Sequence, residues 1–258
     1  MPTKPKPRGL PLGPELGPRV GIGQDNEVFD LLSPAPKPHL RESVGFVAKV
    51  SHEQTKDLVE RRGKAHSARE AAESGIQYKK HKYDILKHFL GDNIPRSGFV
   101  LTEAEAGSGK RYVELTLQEK VPQFKLSDLT PEQREDPRLS ANVSTLLARL
   151  QRMYSVMGEA NARVGQNAQL DAKLDLGGVS DRVRAEDMDH RFAPEEVQDL
   201  IDTNKSPNLL VDPESMQLYC IDFDQGQWNE GMSATAEMVH TLDARRNASA
   251  LGGLAINA

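Results

Sequence analysis

The chain has 258 residues, 37% of them hydrophobic and 28% charged, enough apolar material for a packed core and too much for global disorder. No run approaches the roughly 18 apolar residues a membrane helix needs, and the single cysteine, Cys220, excludes an internal disulfide framework and a Cys-based zinc cluster. The net charge of -5 is uneven, with 11 Lys/Arg against 7 Asp/Glu over Lys49–Arg96 and 5 against 17 over Asp171–Asp243. So acidic a second half repels a nucleic-acid backbone, whereas acidic groups can hold a divalent cation.

Residues 1–14 are rich in Pro and Gly and predict a flexible tail; they lack the apolar stretch of a secretory signal peptide. Short β-like runs follow at Arg19–Val20, Val28–Leu32 and Val44–Val50, the last two separated by a Pro-rich loop, Ser33–Pro38. His66–Leu90 predicts a helix, with Ala72, Ile76, Tyr83, Leu86 and Leu90 at helical spacing and Gly91-Asp92-Asn93 at its end. Phe99–Glu103 and Tyr112–Glu119 alternate, and Ala106-Gly107-Ser108-Gly109-Lys110 between them signals a hairpin. Leu139–Ala162 predicts a second long helix with apolar residues at Leu146, Leu147, Leu150, Met153, Val156 and Met157 at core spacing. The segment Asn161–Asp189 carries no clear period. Pro194-Glu195-Glu196 opens a short helix through Ile201. Leu209–Val211 and Met216–Phe223 predict a hairpin across Asp212-Pro213-Glu214-Ser215. The order is a β-rich lobe with one long helix, then a helical lobe with one hairpin.

Four fragments carry chemistry. In Gly21-Ile22-Gly23-Gln24-Asp25-Asn26-Glu27-Val28-Phe29, glycines between two strands let backbone N–H groups approach phosphate oxygens, although two glycines often mark only a turn. In Phe46-Val47-Ala48-Lys49-Val50, a lysine in an apolar strand needs an anion if it is buried, or an edge position if it is not. In Asp202-Thr203-Asn204-Lys205-Ser206-Pro207-Asn208-Leu209-Leu210-Val211-Asp212 a polar loop feeds the hairpin. The hairpin ends in Tyr219-Cys220-Ile221-Asp222-Phe223-Asp224. Asn208 and Asp222 come to one end of two paired strands, and their oxygens suit Mg²⁺; turn-forming Asn and Asp are the plainer alternative.

Taken in order, Gly21-x-Gly23-x-x-Asn26-x-Val28-Phe29, Val47-Ala48-Lys49, Asn208-Leu209-Leu210-Val211-Asp212 and Ile221-Asp222-Phe223-Asp224 resemble the protein-kinase-like superfamily, which includes the aminoglycoside and choline phosphotransferases. The resemblance spans about Arg19–Trp228. It implies an α+β, two-lobed fold: a small β-rich N-lobe over 15–121 and a reduced, mostly helical C-lobe over 122–258. It implies ATP and Mg²⁺ as cofactors, with Gly21, Gly23 and Val28 at the nucleotide and Lys49 on its phosphates. Glu73 of the long helix is the implied partner of Lys49, with Glu70 second. Gln118 takes a gatekeeper position, and the backbone of Glu119 and Val121 faces adenine. Asn208 and Asp222 are the implied metal ligands.

The implied catalytic base is a departure from that pattern. Thr203 stands where the family has its Asp, five residues before Asn208; Asp202 lies one residue earlier and needs a bulge to serve. The expectation is an ATP- and Mg-dependent phosphotransferase of minimal type acting on a protein hydroxyl. A small-molecule kinase and a pseudokinase that binds nucleotide or a partner are the alternatives. Neither nucleic acid nor membrane is an expected partner. The expected setting is cytoplasmic, or a host cell reached without a classical signal peptide, as for the effector kinases that pathogenic bacteria inject.

Other signals carry less. Gly107-Ser108-Gly109-Lys110 lacks the residues of a phosphate-binding P-loop and fits a hairpin turn. His81 and His88 lack a completing ligand, Asp187, Asp189 and His190 fit a solvated segment, and Cys220 fits a core strand better than a nucleophile.

Overall fold

The structure, a computed structural model, describes residues 16–22, 26–31, 45–51, 68–106, 109–163, 174, 176–185, 190–221, 237 and 239. The molecule is α+β and divides into two compact units, 1–80 with 96–120 and 81–95 with 121–258. Among the described residues no helix is long and apolar enough to cross a membrane.

The first unit holds a five-stranded antiparallel sheet. Its strands are β1 (Leu16–Ile22), β2 (Asn26–Leu31), β3 (Phe46–Ser51), β4 (Ser97–Ala106) and β5 (Gly109–Glu119), in the order β1-β2-β3-β5-β4. β1 and β2 pair with two register shifts, between Leu16 and Arg19 and between Arg19 and Gly21, so the edge ribbon is bulged. β4 and β5 pair without interruption from Ser97↔Gln118 to Ala106↔Gly109. Helix α1 (Ala68–Leu90) lies between β3 and β4 in the chain. Side chains alternate across a strand, and both faces of β5 are buried. One carries Leu115 and Leu117, the other Glu114, Thr116 and Gln118.

Along α1 the buried positions are Ala72, Gly75, Tyr78, Lys79, Lys82, Ile85, Leu86, Phe89 and Leu90. Their spacing of three and four marks one stripe. Two lysines sit on it, so the inward face is less apolar than the periodicity suggests.

In the second unit α3 (Pro137–Arg163) supplies the core. Leu139, Val143, Leu146, Leu147, Leu150, Met153 and Met157 are all buried, whereas Val156, also at the expected spacing, is half-buried. Each such side chain contributes about 1.5–3 kcal/mol on burial. α4 (Gly178–Ala185) and α5 (Pro194–Thr203) pack on α3 through Val179, Val183, Val197, Leu200 and Ile201. Before α3 runs α2 (Pro131–Arg134), capped by a reciprocal pair in which Thr130 Oγ1 accepts from Gln133 N–H and Gln133 Oε1 accepts from Thr130 N–H. Strands β6 (Phe124–Lys125), β7 (Leu209–Val211) and β8 (Leu218–Cys220) form an antiparallel sheet in that order. Met216, at φ 57°, occupies the left-handed region just before β8, so the expected strand from Met216 starts later.

The end of α1 is tied into this second unit. Gly91, at φ +56°, leaves the helix into a turn through Asn93. Asn93 Nδ2 donates to Leu218 O at 2.9 Å, and Arg149 Nη1 donates to both Leu90 O (3.0 Å) and Asn93 Oδ1 (2.7 Å). Residues 1–14, Gly23, the Pro-rich loop, residues 107–108, most of Asn161–Asp189, Asp222 and Trp228 lie outside the described residues.

Candidate functional site

Lys49 lies on β3, an interior strand with β2 on one side and β5 on the other. It is 8% exposed, which sets aside the edge-strand alternative. Val28 stands opposite it on β2 and Thr116 on β5. Thr116 belongs to the polar face of β5, and Lys49 therefore shares that face with Glu114 and Gln118. α1 covers it: Lys79 Nζ meets Glu114 Oε2 at 3.1 Å, with side chains only 11% and 3% exposed. Buried ion pairs of this kind are costly to form and costlier to break on one side. Gln118 donates to Ser97 Oγ at 3.5 Å.

Glu73, the expected partner of Lys49, is one position off the inward stripe. It is exposed, and its carboxylate takes Arg69 Nε at 2.7 Å. Each helix residue turns about 100°, so the neighbour of buried Ala72 looks outward. Glu70 is exposed as well. Glu114 and Lys79 were not singled out in the sequence, because the alternation of Tyr112–Glu119 does not tell which face a helix will cover.

At the end of β5, Glu119 is bound on both its backbone and its side chain. Its N–H donates to Arg96 O at 2.8 Å, and its carboxylate accepts from Arg96 Nε and Nη2, both at 3.0 Å. The Glu119 N–H is thus committed to Arg96. Val121 is buried and its carbonyl accepts from Gln123 Nε2 at 3.0 Å. Gly21 sits in β1 opposite Val28; a methyl group there would meet Val28 at an ordinary 3.7 Å, so the strand itself does not require glycine.

In the second unit Asn208 directly precedes β7. Its carbonyl accepts from Ile221 N–H at 2.9 Å and its N–H donates to Ser206 Oγ at 3.2 Å. With Leu209 opposite Cys220, the ladder puts Asn208 beside Ile221, one residue short of Asp222. Below it lies a buried polar knot. Asn204 Nδ2 donates to Leu176 O (2.8 Å) and Asn204 Oδ1 accepts from Ser206 N–H (2.8 Å). Ser180, fully buried, donates to Leu174 O (2.6 Å) and accepts from Leu176 N–H (3.1 Å). Gly177, at φ +59°, fits against this knot; a Cβ there would lie 3.1 Å from Ser206 Cβ. Asn204 thereby fixes the loop that presents Asn208.

Asp202 is not in that loop. It lies in the last turn of α5, is exposed, and accepts from Gln198 Nε2 at 3.3 Å. Thr203 is helical too, its hydroxyl donating to Asp199 O at 2.7 Å. The helix runs two residues beyond the expected Ile201 because Asn204 N–H continues its bonding to Leu200 O.

Glu196 accepts from Ala193 N–H and from Arg182, which hold its carboxyl down at about 2; His190 Nε2 lies 3.2 Å away. Cys220 is fully buried, and burial pushes its thiol up to about 12, consistent with a core residue. Among the described residues no group of three or more His, Cys, Asp or Glu is arranged to hold a metal. Gly21, Val28, Lys49, Glu73 and Glu119 belong to the first unit, Val121, Asp202 and Asn208 to the second. Comparison with protein families, with curated proteins and with solved structures finds no match to this chain.

Proposed function

We propose that this protein is a kinase-like domain that binds Mg-ATP and transfers its terminal phosphoryl group to a protein hydroxyl. The observation that carries this reading is Lys49, a buried ammonium on an interior strand whose polar face it shares with a buried carboxylate. A buried ammonium at that point of an ordered four-fragment motif supports a phosphate-binding role better than a structural one. The donor chemistry fits the implied metal: an amide oxygen at Asn208, held at the head of β7, and a carboxylate at Asp222 are hard ligands. Bound Mg-ATP supplies the transferable group and neutralises its charge. Lys49 would hold the phosphates, Asn208 and Asp222 would hold the metal, and the polar knot around Asn204 keeps Asn208 in place. Positioning of this kind is most of what phosphoryl transfer asks of a protein.

A second reading, nucleotide binding without transfer, is favoured by one observation. Asp202 lies on an exposed helical turn bonded to Gln198, and Thr203 stands at the expected base position. Two measurements separate them. Mg-ATP should raise the melting temperature of the wild type and not of Lys49→Ala or Asp222→Ala. Transfer from radiolabelled ATP to protein in lysate should be lost in the same variants; stabilisation without transfer to any acceptor selects the second reading, and no stabilisation rejects both.

A further inference from the structure

We infer that Glu114 of β5, and no carboxylate of α1, is the residue that positions the Lys49 ammonium. This inference rests on the nucleotide-binding reading for its consequence but not for its geometry. Lys49 is paired with Thr116, and Glu114 stands two residues farther along β5 on the same face. Such diagonal neighbours lie about 7–8 Å apart at the backbone, within reach of long side chains. The lysine stem is long enough to span that gap, and the glutamate adds its own length.

Burial makes the pairing energetically sensible. Glu114 is 4% exposed, and an ionised carboxylate at that depth needs cations around it. Lys79 meets one of its oxygens, Oε2, and a carboxylate offers about four acceptor positions. On α1, by contrast, Glu73 is exposed and bonded to Arg69, and Glu70 is exposed. What α1 contributes at Glu114 is a cation, Lys79, where the motif resemblance implies a carboxylate. Lys49 and Glu114 belong to hydrogen-bonded neighbours in one sheet, so the lysine is held in register by the ladder itself.

The test uses the full chain and an amine-reactive ester at mildly alkaline pH, with labelling of each lysine followed by mass spectrometry. A lysine side chain held down by a buried carboxylate is screened from the reagent, and one released from it is not. Glu114→Gln should raise the labelling rate of Lys49 by about tenfold, while exposed Lys80 and Lys205 keep theirs. Glu73→Gln should leave Lys49 unchanged, and Glu114→Asp, which keeps the charge, should stay near wild type. Because a lone Lys79 could open the sheet in Glu114→Gln, the Lys79→Met/Glu114→Gln pair is measured alongside, with amide exchange in β3 and β5 as the check on folding. Raised Lys49 labelling with unchanged exchange in either variant upholds the pairing. Labelling equal to wild type in the paired variant, or labelling that responds to Glu73→Gln instead, overturns it.

Mg-ATP affinity is read in parallel and should fall about tenfold in Glu114→Gln and not in Glu73→Gln. If Lys49 follows Glu114 in a chain that binds no Mg-ATP, the pairing stands and the proposed function fails. If Mg-ATP binds and Lys49 ignores Glu114, the reverse holds.

Discussion

Replacing Asn204 by Ala should be among the most damaging single changes in the second unit. The side chain is buried and makes two hydrogen bonds, to Leu176 O and from Ser206 N–H, both at 2.8 Å. Leu176 and Ser206 are buried too, so alanine leaves one carbonyl and one amide without their partner. Each stranded group costs about 1–3 kcal/mol, so the expected loss is about 2–6 kcal/mol. Against a typical domain stability of about 5–15 kcal/mol that is a large fraction. Urea unfolding followed by far-UV circular dichroism reads it directly. With a slope of about 1–3 kcal/mol per molar urea, the midpoint should fall by about 1 M or more. Thr203→Ala is the control, because that exposed hydroxyl only bonds back to Asp199 O and its loss should stay within about 0.5 kcal/mol. If Asn204→Ala unfolds within 0.5 kcal/mol of wild type, by the same about 0.5 kcal/mol yardstick, the knot does not hold the loop and the account of Asn208 collapses with it.

Gly177→Ala should destabilise the same region by at least about 1 kcal/mol, since φ +59° is strained for alanine and its methyl would crowd Ser206; a melting temperature equal to wild type would contradict this. Cys220, buried with its thiol raised to about 12, should resist alkylation at neutral pH and react only as the protein unfolds in denaturant; rapid labelling of the native chain would refute its burial. Glu196 has a folded value of about 2 against an ordinary 4.5, so its contribution is present above pH 4.5 and is lost as pH falls toward 2; Glu196→Gln should flatten that part of the acid-stability curve. Thr130→Ala removes the N-cap of α2 and should cost about 1 kcal/mol, read as a lower urea midpoint.

The strands of the first unit and the two long helices were legible because alternation and helical spacing write burial directly into residue order. Phe46–Ser51 and Ala68–Leu90 lie within two residues of the expected ends. The inward face of α1 was legible only in part. A search for apolar residues chose Ile76 and Tyr83, and with them Glu73; the buried stripe instead runs through Gly75, Lys79 and Lys82. Lysines read as solvent-facing until a buried acid is placed opposite them, and that acid, Glu114, is on a strand thirty-odd residues away in the chain. Lys49 could be recognised from its apolar neighbours, and Asn208 from its place before a strand. Asn204 and Ser180 could not: Asn and Ser ordinarily mark turns, and only the packing shows these two as interior hydrogen-bonding groups. Asp202 was assigned to a loop because the helix was expected to stop at Ile201, and helix ends are set by capping details that residue order carries weakly.

The division of α1 between the two units has a consequence for anyone dissecting the chain. A fragment starting at Val121 would discard Asn93, and with it the donor to Leu218 O and one acceptor of the Arg149 guanidinium. Its edge strand would lose one bond made in the intact protein, and its longest helix two, those of Arg149 to Leu90 O and Asn93 Oδ1. Any single piece that keeps those bonds must begin at or before Leu90 and bring along strands that belong elsewhere, unless residues 81–95 are grafted ahead of Val121 by a new linker. The break between the units is therefore spatial and cannot be reproduced by a single cut in the gene.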